Sequence, residues 1–250
     1  MPLDAGTPPS SAGAARGRAD YGLDAPAVIA WLLGAGSACI LAGLALRALT
    51  TWAALGGMLV WTGSGPLAAG ALMVLSSRVG KLRARDRLLD RLTLRGDERV
   101  LDVGCGHGLL LIGAATRVPR GHATGVDLWS QTDQHDNSRE ATLANARAEG
   151  VAERVTVADG DMRRLPFPGA SFDAVVSSLA VHNVPDRGDR RAAIGEMVRV
   201  LAPGGRIALT DIAHVGEYAS DLRAAGMRDV RVSAWSPWIF PPARTVTARK

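Results

Sequence analysis

Two stretches of this chain carry no charge at all: Ala25 to Leu46, and Ala48 to Ser77. Each is longer than the ~20 residues a helix needs to cross a hydrocarbon core. Neither has a polar face, which predicts two spans, over about 26–46 and 52–76, rather than helices lying flat in an interface. Arg47 with Thr50 and Thr51 gives a polar break long enough only for a hairpin turn. Gly63-Ser-Gly-Pro66 predicts a kink in the second span, which packed membrane helices tolerate. Gly34, Ala38 and Ala42 recur at four-residue spacing and predict a close helix–helix approach. Trp31 and Trp52 fall near the span ends, where aromatic belts sit. A signal peptide fits poorly behind residues 1–25 and ahead of a second span. A helical hairpin buried in a soluble protein is the competing reading.

Beyond residue 95 the period changes. Arg99–Val103, Ala123–Asp127, Arg154–Ala158, Ala174–Ser178 and the run up to Asp211 are short and apolar or alternating, as buried strands are. Helical stretches fall between them, at Gly108 to about Arg117, Ala141–Glu149 behind a capping box at Asn137–Glu140, about Asp189–Leu201, and Glu217–Ala225. Val230–Ala234 and Thr245–Ala248 alternate as two last strands, joined by a proline-rich segment over 235–242 too long for a tight hairpin. Strands alternating with helices predict an open α/β sheet. In residues 78–95, Leu82, Leu88, Leu89 and Leu92 share one face of a further helix.

Composition sharpens this division. Residues 1–25 are rich in Pro, Gly, Ala and Ser and predict a disordered tail. Three acids and three arginines cancel over residues 1–77, so the net charge of +5 belongs to residues 78–250. Arg78, Lys81, Arg83, Arg85, Arg87, Arg91 and Arg95 crowd the C-terminal flank of the second span, against Asp86 and Asp90. Basic flanks stay inside, so the expected address is the cytoplasmic membrane, multi-pass, with the catalytic domain facing the cytoplasm. The basic helix suits either anionic lipid or the sheet beneath it, and nucleic acid is not an expected partner. Cys39 and Cys105 make no disulfide framework. No cluster suggests a metal.

The candidate chemistry begins at Val100-Leu-Asp-Val-Gly-Cys-Gly-His-Gly108. A strand tipped by Asp102 runs into Gly104, Gly106 and Gly108, a turn where backbone can approach a ligand with no Cβ in the way. Dinucleotide sites use Gly-x-Gly-x-x-Gly instead, and the Asp102 carboxylate would repel a pyrophosphate and welcome a cation. That phrase resembles motif I of the class I S-adenosylmethionine-dependent methyltransferases. Leu165-Pro-Phe-Pro…Ser171-Phe-Asp and Leu201-Ala-Pro-Gly-Gly-Arg206 are similar to phrases of the same family, the first to its quinone-biosynthesis subgroup. Against that order of phrases, NAD(P)-dependent oxidoreduction falls away.

The resemblance covers about residues 80–250. It implies a Rossmann-like seven-stranded sheet with an antiparallel last strand over 96–250, preceded by the transmembrane hairpin at 26–77 and the basic juxtamembrane helix at 78–95. It implies S-adenosylmethionine as cofactor, with Asp102 at its cationic methionine end and Gly104, Cys105, Gly106 and Gly108 around it. Asp127, ending the second strand, is placed where doubly wound folds bind ribose hydroxyls, and Leu128 and Trp129 follow it at the adenosine. Asp161 and Met162 match the adenine-binding position, and Ser178 ends the fourth strand. The long loop Trp129–Asp136 and the hairpin itself depart from the quinone-type enzymes; His135 and Asp136 face either substrate or solvent.

Methyl transfer needs alignment above all, and a base only if the acceptor arrives protonated. His182, at the end of strand four, is the candidate base, the alternative being a histidine that only packs beside the cofactor. His107 and Tyr218 are weaker candidates. A membrane address suggests a small lipid-like or quinone-like acceptor, with Trp235, Trp238, Ile239 and Phe240 lining an apolar entrance. A catalytically silent S-adenosylmethionine-binding module and a methyltransferase of soluble small molecules are the alternatives.

Overall fold

The computed structural model describes residues 19–49, 51–130 and 137–250. Two long helices come first, α1 (Pro26–Leu49) and α2 (Ala53–Leu75), packed as a hairpin. Both are long and apolar enough to cross a membrane by length and composition. Their buried positions are chiefly glycines: Gly36 and Gly43 on α1, Gly56, Gly63 and Gly70 on α2. A Cβ on Gly43 would meet the Gly56 carbonyl at 2.5 Å, and one on Gly36 the Gly63 carbonyl at 2.8 Å. Contact therefore follows a seven-residue repeat, which keeps one face turned to the partner helix. Gly34, expected at the interface, has open space around it. α2 runs through Pro66 without a break. Outward, Trp31, Leu41, Met58 and Trp61 are exposed.

α2 does not end where the polar sequence begins. One π-helical turn over 76–80 carries it directly into α3 (Lys81–Arg91). Leu88, Leu89 and Leu92 bury the inner face of α3 against the sheet. Arg83, Arg87 and Arg91, four residues apart, are exposed on the other face. α3 thus docks its leucine face on the sheet and leaves its arginine face exposed.

Seven strands follow: β1 (Arg99–Val103), β2 (His122–Asp127), β3 (Val155–Asp159), β4 (Phe172–Ser178), β5 (Leu201–Asp211), β6 (Arg228–Val232) and β7 (Arg244–Arg249). Their order is β3-β2-β1-β4-β5-β7-β6, with β7 antiparallel to both neighbours. The expected antiparallel last strand is there. α4 (Leu109–Arg117) and α5 (Arg139–Ala148) cover one face together with α3; α6 (Arg187–Val200) and α7 (Val215–Ala224) cover the other. Ser138, rather than Asn137, caps α5, accepting the Ala141 N–H at 3.1 Å. Strand order reverses between β1 and β4, so a crevice opens at their carboxyl ends.

Candidate functional site

The turn after β1 is shaped by its backbone. Gly104, Gly106 and Gly108 have φ of 72°, 49° and 84°, a region costly for any residue with a Cβ. At Gly104 a Cβ would also lie 2.4 Å from that of Ala180, beyond β4; a side chain there would fill the cradle between β1 and β4. The turn is tied to β2, since Gly104 N–H donates to the Val126 carbonyl at 2.8 Å and Gly106 N–H to Asp127 Oδ2 at 2.8 Å.

Asp102 stands at the tip of β1, 2% exposed, its Oδ2 accepting the Leu111 N–H of the first turn of α4 at 2.8 Å. Burial pushes its carboxyl up to about 8; the Leu111 bond opposes this and the nearby Asp127 charge adds to it. A cation seated alongside would favour the ionised form instead. His107, buried on the same turn, has neither ring nitrogen hydrogen-bonded among the described residues. Buried polar atoms of this kind ordinarily have partners, so His107 offers hydrogen-bonding capacity to a polar ligand. Carboxylate, unpartnered imidazole and glycine cradle together suit a molecule with a charged amino-acid end.

These groups line one cavity of about 860 Å³, roomy against the ~300–1,000 Å³ of ordinary ligand sites. Gly104, Cys105, Gly106, Asp127, Leu128, Asp161, Met162, Ser178 and His182 all border it. Burial raises the Cys105 thiol well above its ordinary range, which leaves it inert. Gly108 caps α4 and shapes the turn without bordering the cavity.

Trp129 does not border it either. Its Nε1 donates to Asp159 Oδ1 at 2.7 Å and its ring packs towards the α5 side of the sheet, while Leu128 turns to the cavity. Asp127 Oδ1 accepts the Trp129 N–H at 2.7 Å and the Asn137 amide at 3.3 Å. Arg163 grips Asp161, with Nη2 to Oδ2 at 2.6 Å and Nε to Oδ1 at 3.0 Å, and holds that carboxyl below its ordinary value. His135 and Asp136 lie outside the described residues.

Residues 19–25, expected within a disordered tail, instead strap across the glycine turn. The Lys81 ammonium donates to the carbonyls of Tyr21 at 2.7 Å and Gly22 at 2.6 Å and reaches Asp24 at 3.4 Å. The Asn145 side chain bonds both the N–H and the carbonyl of Asp20, at 2.9 and 2.8 Å. Gly22 lies against the His107 ring. Burial lowers the Lys81 ammonium, Asp24 opposing, and pushes the Tyr21 phenol up to about 12, Glu149 adding to it. Nothing in the local composition of 19–25 signals this, because its partners lie some 60 to 125 residues away.

At the opposite wall, His182 Nδ1 lies 2.6 Å from Asp211 Oδ1. Asp211 Oδ2 accepts the His182 backbone N–H at 3.0 Å and the Tyr218 hydroxyl at 3.1 Å. Asp211 thus lies against both the ring and the backbone of His182, with Nδ1 the ring nitrogen nearest it. Tyr218 is fully buried, and burial followed by the Asp211 charge drives its phenol well above its ordinary value. Asp211 was not singled out in the sequence, although an acid ending an apolar strand, as Asp127 does, was the available signal.

Residues 100–205 match the family described as methyltransferase domain. The 27-O-demethylrifamycin SV methyltransferase of Amycolatopsis mediterranei is 38% identical over 129 residues, 52% of this chain and 44% of that protein. The demethylmenaquinone methyltransferase of Thermus thermophilus is 32% identical over 130 residues, 52% of this chain and 54% of that protein. The chain spans about half the length of these relatives. Among solved structures, an S-adenosylmethionine-dependent methyltransferase of Aquifex aeolicus aligns at TM-score 0.55 and 18% identity, covering 72% of this chain and 97% of that one. A phosphoethanolamine N-methyltransferase of Haemonchus contortus in complex with S-adenosylmethionine aligns at 0.56 and 19%, covering 67% and 52%. At such identities the structures speak for the fold. Both of these structural neighbours are described with S-adenosylmethionine.

Proposed function

From the match of residues 100–205 to the methyltransferase-domain family and the seven-stranded sheet around it, we propose that the chain is a membrane-anchored enzyme that methylates a small lipid-like or quinone-like acceptor. The observation that carries this reading is that the glycine cradle and the His182–Asp211 pair share one cavity. Asp102 and His107 hold the methionine end of the cofactor, Asp127 its ribose, and Asp161 with Met162 its adenine, while Gly104, Cys105, Gly106, Leu128 and Ser178 complete the wall. When bound, S-adenosylmethionine supplies an electrophilic methyl on a sulfonium that leaves as a neutral thioether. His182 Nε2 takes the proton that the acceptor atom loses as it gains the methyl, and Asp211 stabilises the resulting imidazolium.

The address rests on the hairpin. Among the described residues Trp31, Leu41, Met58 and Trp61 are apolar and exposed on its outer surface, while the contact seam is glycine, the arrangement of helices solvated by lipid. A hairpin buried in a soluble protein would bury those side chains. On α3, the carboxylates of Asp86 and Asp90 pair with Arg85 and Arg117. Arg83, Arg87 and Arg91 keep their charge on the exposed face beneath the hairpin, as a cytoplasmic anionic leaflet would favour. We therefore place the catalytic domain on the cytoplasmic side. Asp90→Cys should react with a membrane-impermeant maleimide only after cells are permeabilised; labelling of intact cells would reverse the orientation.

The reaction itself is tested by incubating membranes with methyl-labelled S-adenosylmethionine. Label should enter the extractable lipid fraction with wild type and disappear with Asp102→Ala. Cofactor binding with no label in any lipid or small-molecule fraction would mean a silent binding module, and label confined to soluble compounds would remove the lipid-like acceptor.

A further inference from the structure

The cavity does not stop at the catalytic groups. It continues to the first turn of α1, where Ala27 and Val28 border it, to Met73 near the end of α2, and to Ile239 and Phe240 of the β6–β7 connection. Start of α1 and end of α2 are the same end of the hairpin, the one next to the sheet. The two ends of the cavity differ in chemistry. Carboxylates and imidazoles gather at the cradle, whereas the border beside the hairpin is mainly hydrocarbon, its charged members Asp24 and Lys81 being paired with one another.

Several contacts fix the β6–β7 connection against the hairpin. Ser76 Oγ, in the π-helical turn, accepts the Phe240 N–H at 2.9 Å. Gly80 lies so close to the Trp238 carbonyl that a Cβ there would overlap it, at 1.8 Å. Arg83 and Arg87 stack on the Trp238 ring at 4.7 and 4.5 Å. An indole stacked with two guanidinium groups is suited to the headgroup layer. Met73 and Ile239 are 8% and 5% exposed and border the cavity.

We infer that the acceptor site opens into the bilayer between the first turn of α1 and the β6–β7 connection, and that it takes an amphipathic molecule. The protonatable head of that molecule reaches His182, while its apolar chain lies along Val28, Met73, Ile239 and Phe240 and continues into lipid. This inference rests on the proposed membrane hairpin. The hydrocarbon border explains why the site sits at the root of the hairpin: an acceptor with a long chain need never leave the bilayer, so its chain is not exposed to water.

The test needs no knowledge of the acceptor. The full-length protein is reconstituted in phosphatidylcholine nanodiscs containing a phosphatidylcholine whose acyl chain ends in a photoactivatable diazirine, and adducts are mapped by mass spectrometry. Met58 and Trp61, on the outer surface of the hairpin, report lipid contact as such. Met73 and Ile239 are reached only by a chain that enters the cavity. Adducts on all four residues are expected, and Val28→Trp, which narrows the mouth at an exposed position, should lower those on Met73 and Ile239 at least fivefold. That variant should leave the adducts on Met58 and Trp61 and the S-adenosylmethionine Kd within twofold of wild type. Adducts on Met58 and Trp61 alone would overturn the opening while sparing the hairpin. Adducts on none of the four would overturn the hairpin and the opening together, and equal labelling of Met73 and Ile239 in Val28→Trp would show that the chain arrives by another route.

Discussion

Asp102→Asn is expected to weaken S-adenosylmethionine binding about 100-fold while leaving the fold intact. Asparagine keeps an oxygen for the Leu111 N–H, which the carboxylate accepts at 2.8 Å, but removes the charge that faces a cationic ligand. Hydrogen bonds to charged groups contribute about 1.5–3 kcal/mol, and tenfold in affinity is about 1.4 kcal/mol. The pH dependence gives a second readout. Without ligand, burial holds the Asp102 carboxyl at about 8, against about 3.9 in an unfolded chain. Between those values the folded state keeps a proton that the unfolded state has lost. This contribution to stability therefore falls as pH rises, by up to about 1.4 kcal/mol per unit, and levels off above the folded value. A cation beside Asp102 draws that proton off, so S-adenosylmethionine should bind more tightly as pH climbs from 6 towards 8, releasing a proton as it binds. Titration calorimetry in buffers of differing ionisation enthalpy measures both effects. In Asp102→Asn the proton release should vanish and the slope flatten. The same slope in variant and wild type would mean that Asp102 does not face the cation.

The second large effect is at His182. His182→Ala should lower kcat by about 10²–10⁴, the usual contribution of a positioned base, with little change in S-adenosylmethionine affinity. Added imidazole should restore part of the rate. Asp211→Asn should lower kcat less, because the ring nitrogen for chemistry survives while its orientation and the stabilisation of its charged form are lost. The pair reaches 2.6 Å, and Asp211 also accepts the His182 N–H and the Tyr218 hydroxyl. Tyr218→Phe, which removes only that last support, should have the smallest effect of the three. Measuring kcat separately from KM with the lipid fraction identified by labelling decides the matter. If His182→Ala turns over at the wild-type rate, His182 only packs beside the cofactor and the acceptor arrives without a proton to lose.

What could be read along the chain was whatever depends on neighbours in sequence. The two uncharged runs set the length and apolar character of α1 and α2. The alternation of short apolar strands with helices set the α/β class. Asp102 with its three glycines marked the tight turn at the cavity, because φ above zero and the absence of a Cβ are demands that one residue type answers locally. Position at a strand end also marked His182, although not the partner that orients it.

Three features were decided only by packing. Asp211 meets His182 because β4 and β5 lie side by side in register, a proximity that 29 residues of separation do not reveal. The glycine seam follows Gly36, Gly43, Gly56, Gly63 and Gly70 rather than Gly34, Ala38 and Ala42, since which face of an all-apolar helix turns inward depends on its partner. Residues 19–25 become ordered because Lys81 and Asn145 satisfy their backbone groups from elsewhere in the fold. Local backbone preference and hydrophobic period are written residue by residue. Which polar groups end up within 3 Å of one another is settled by the meeting of distant segments, and that meeting sets the chemistry of the cavity.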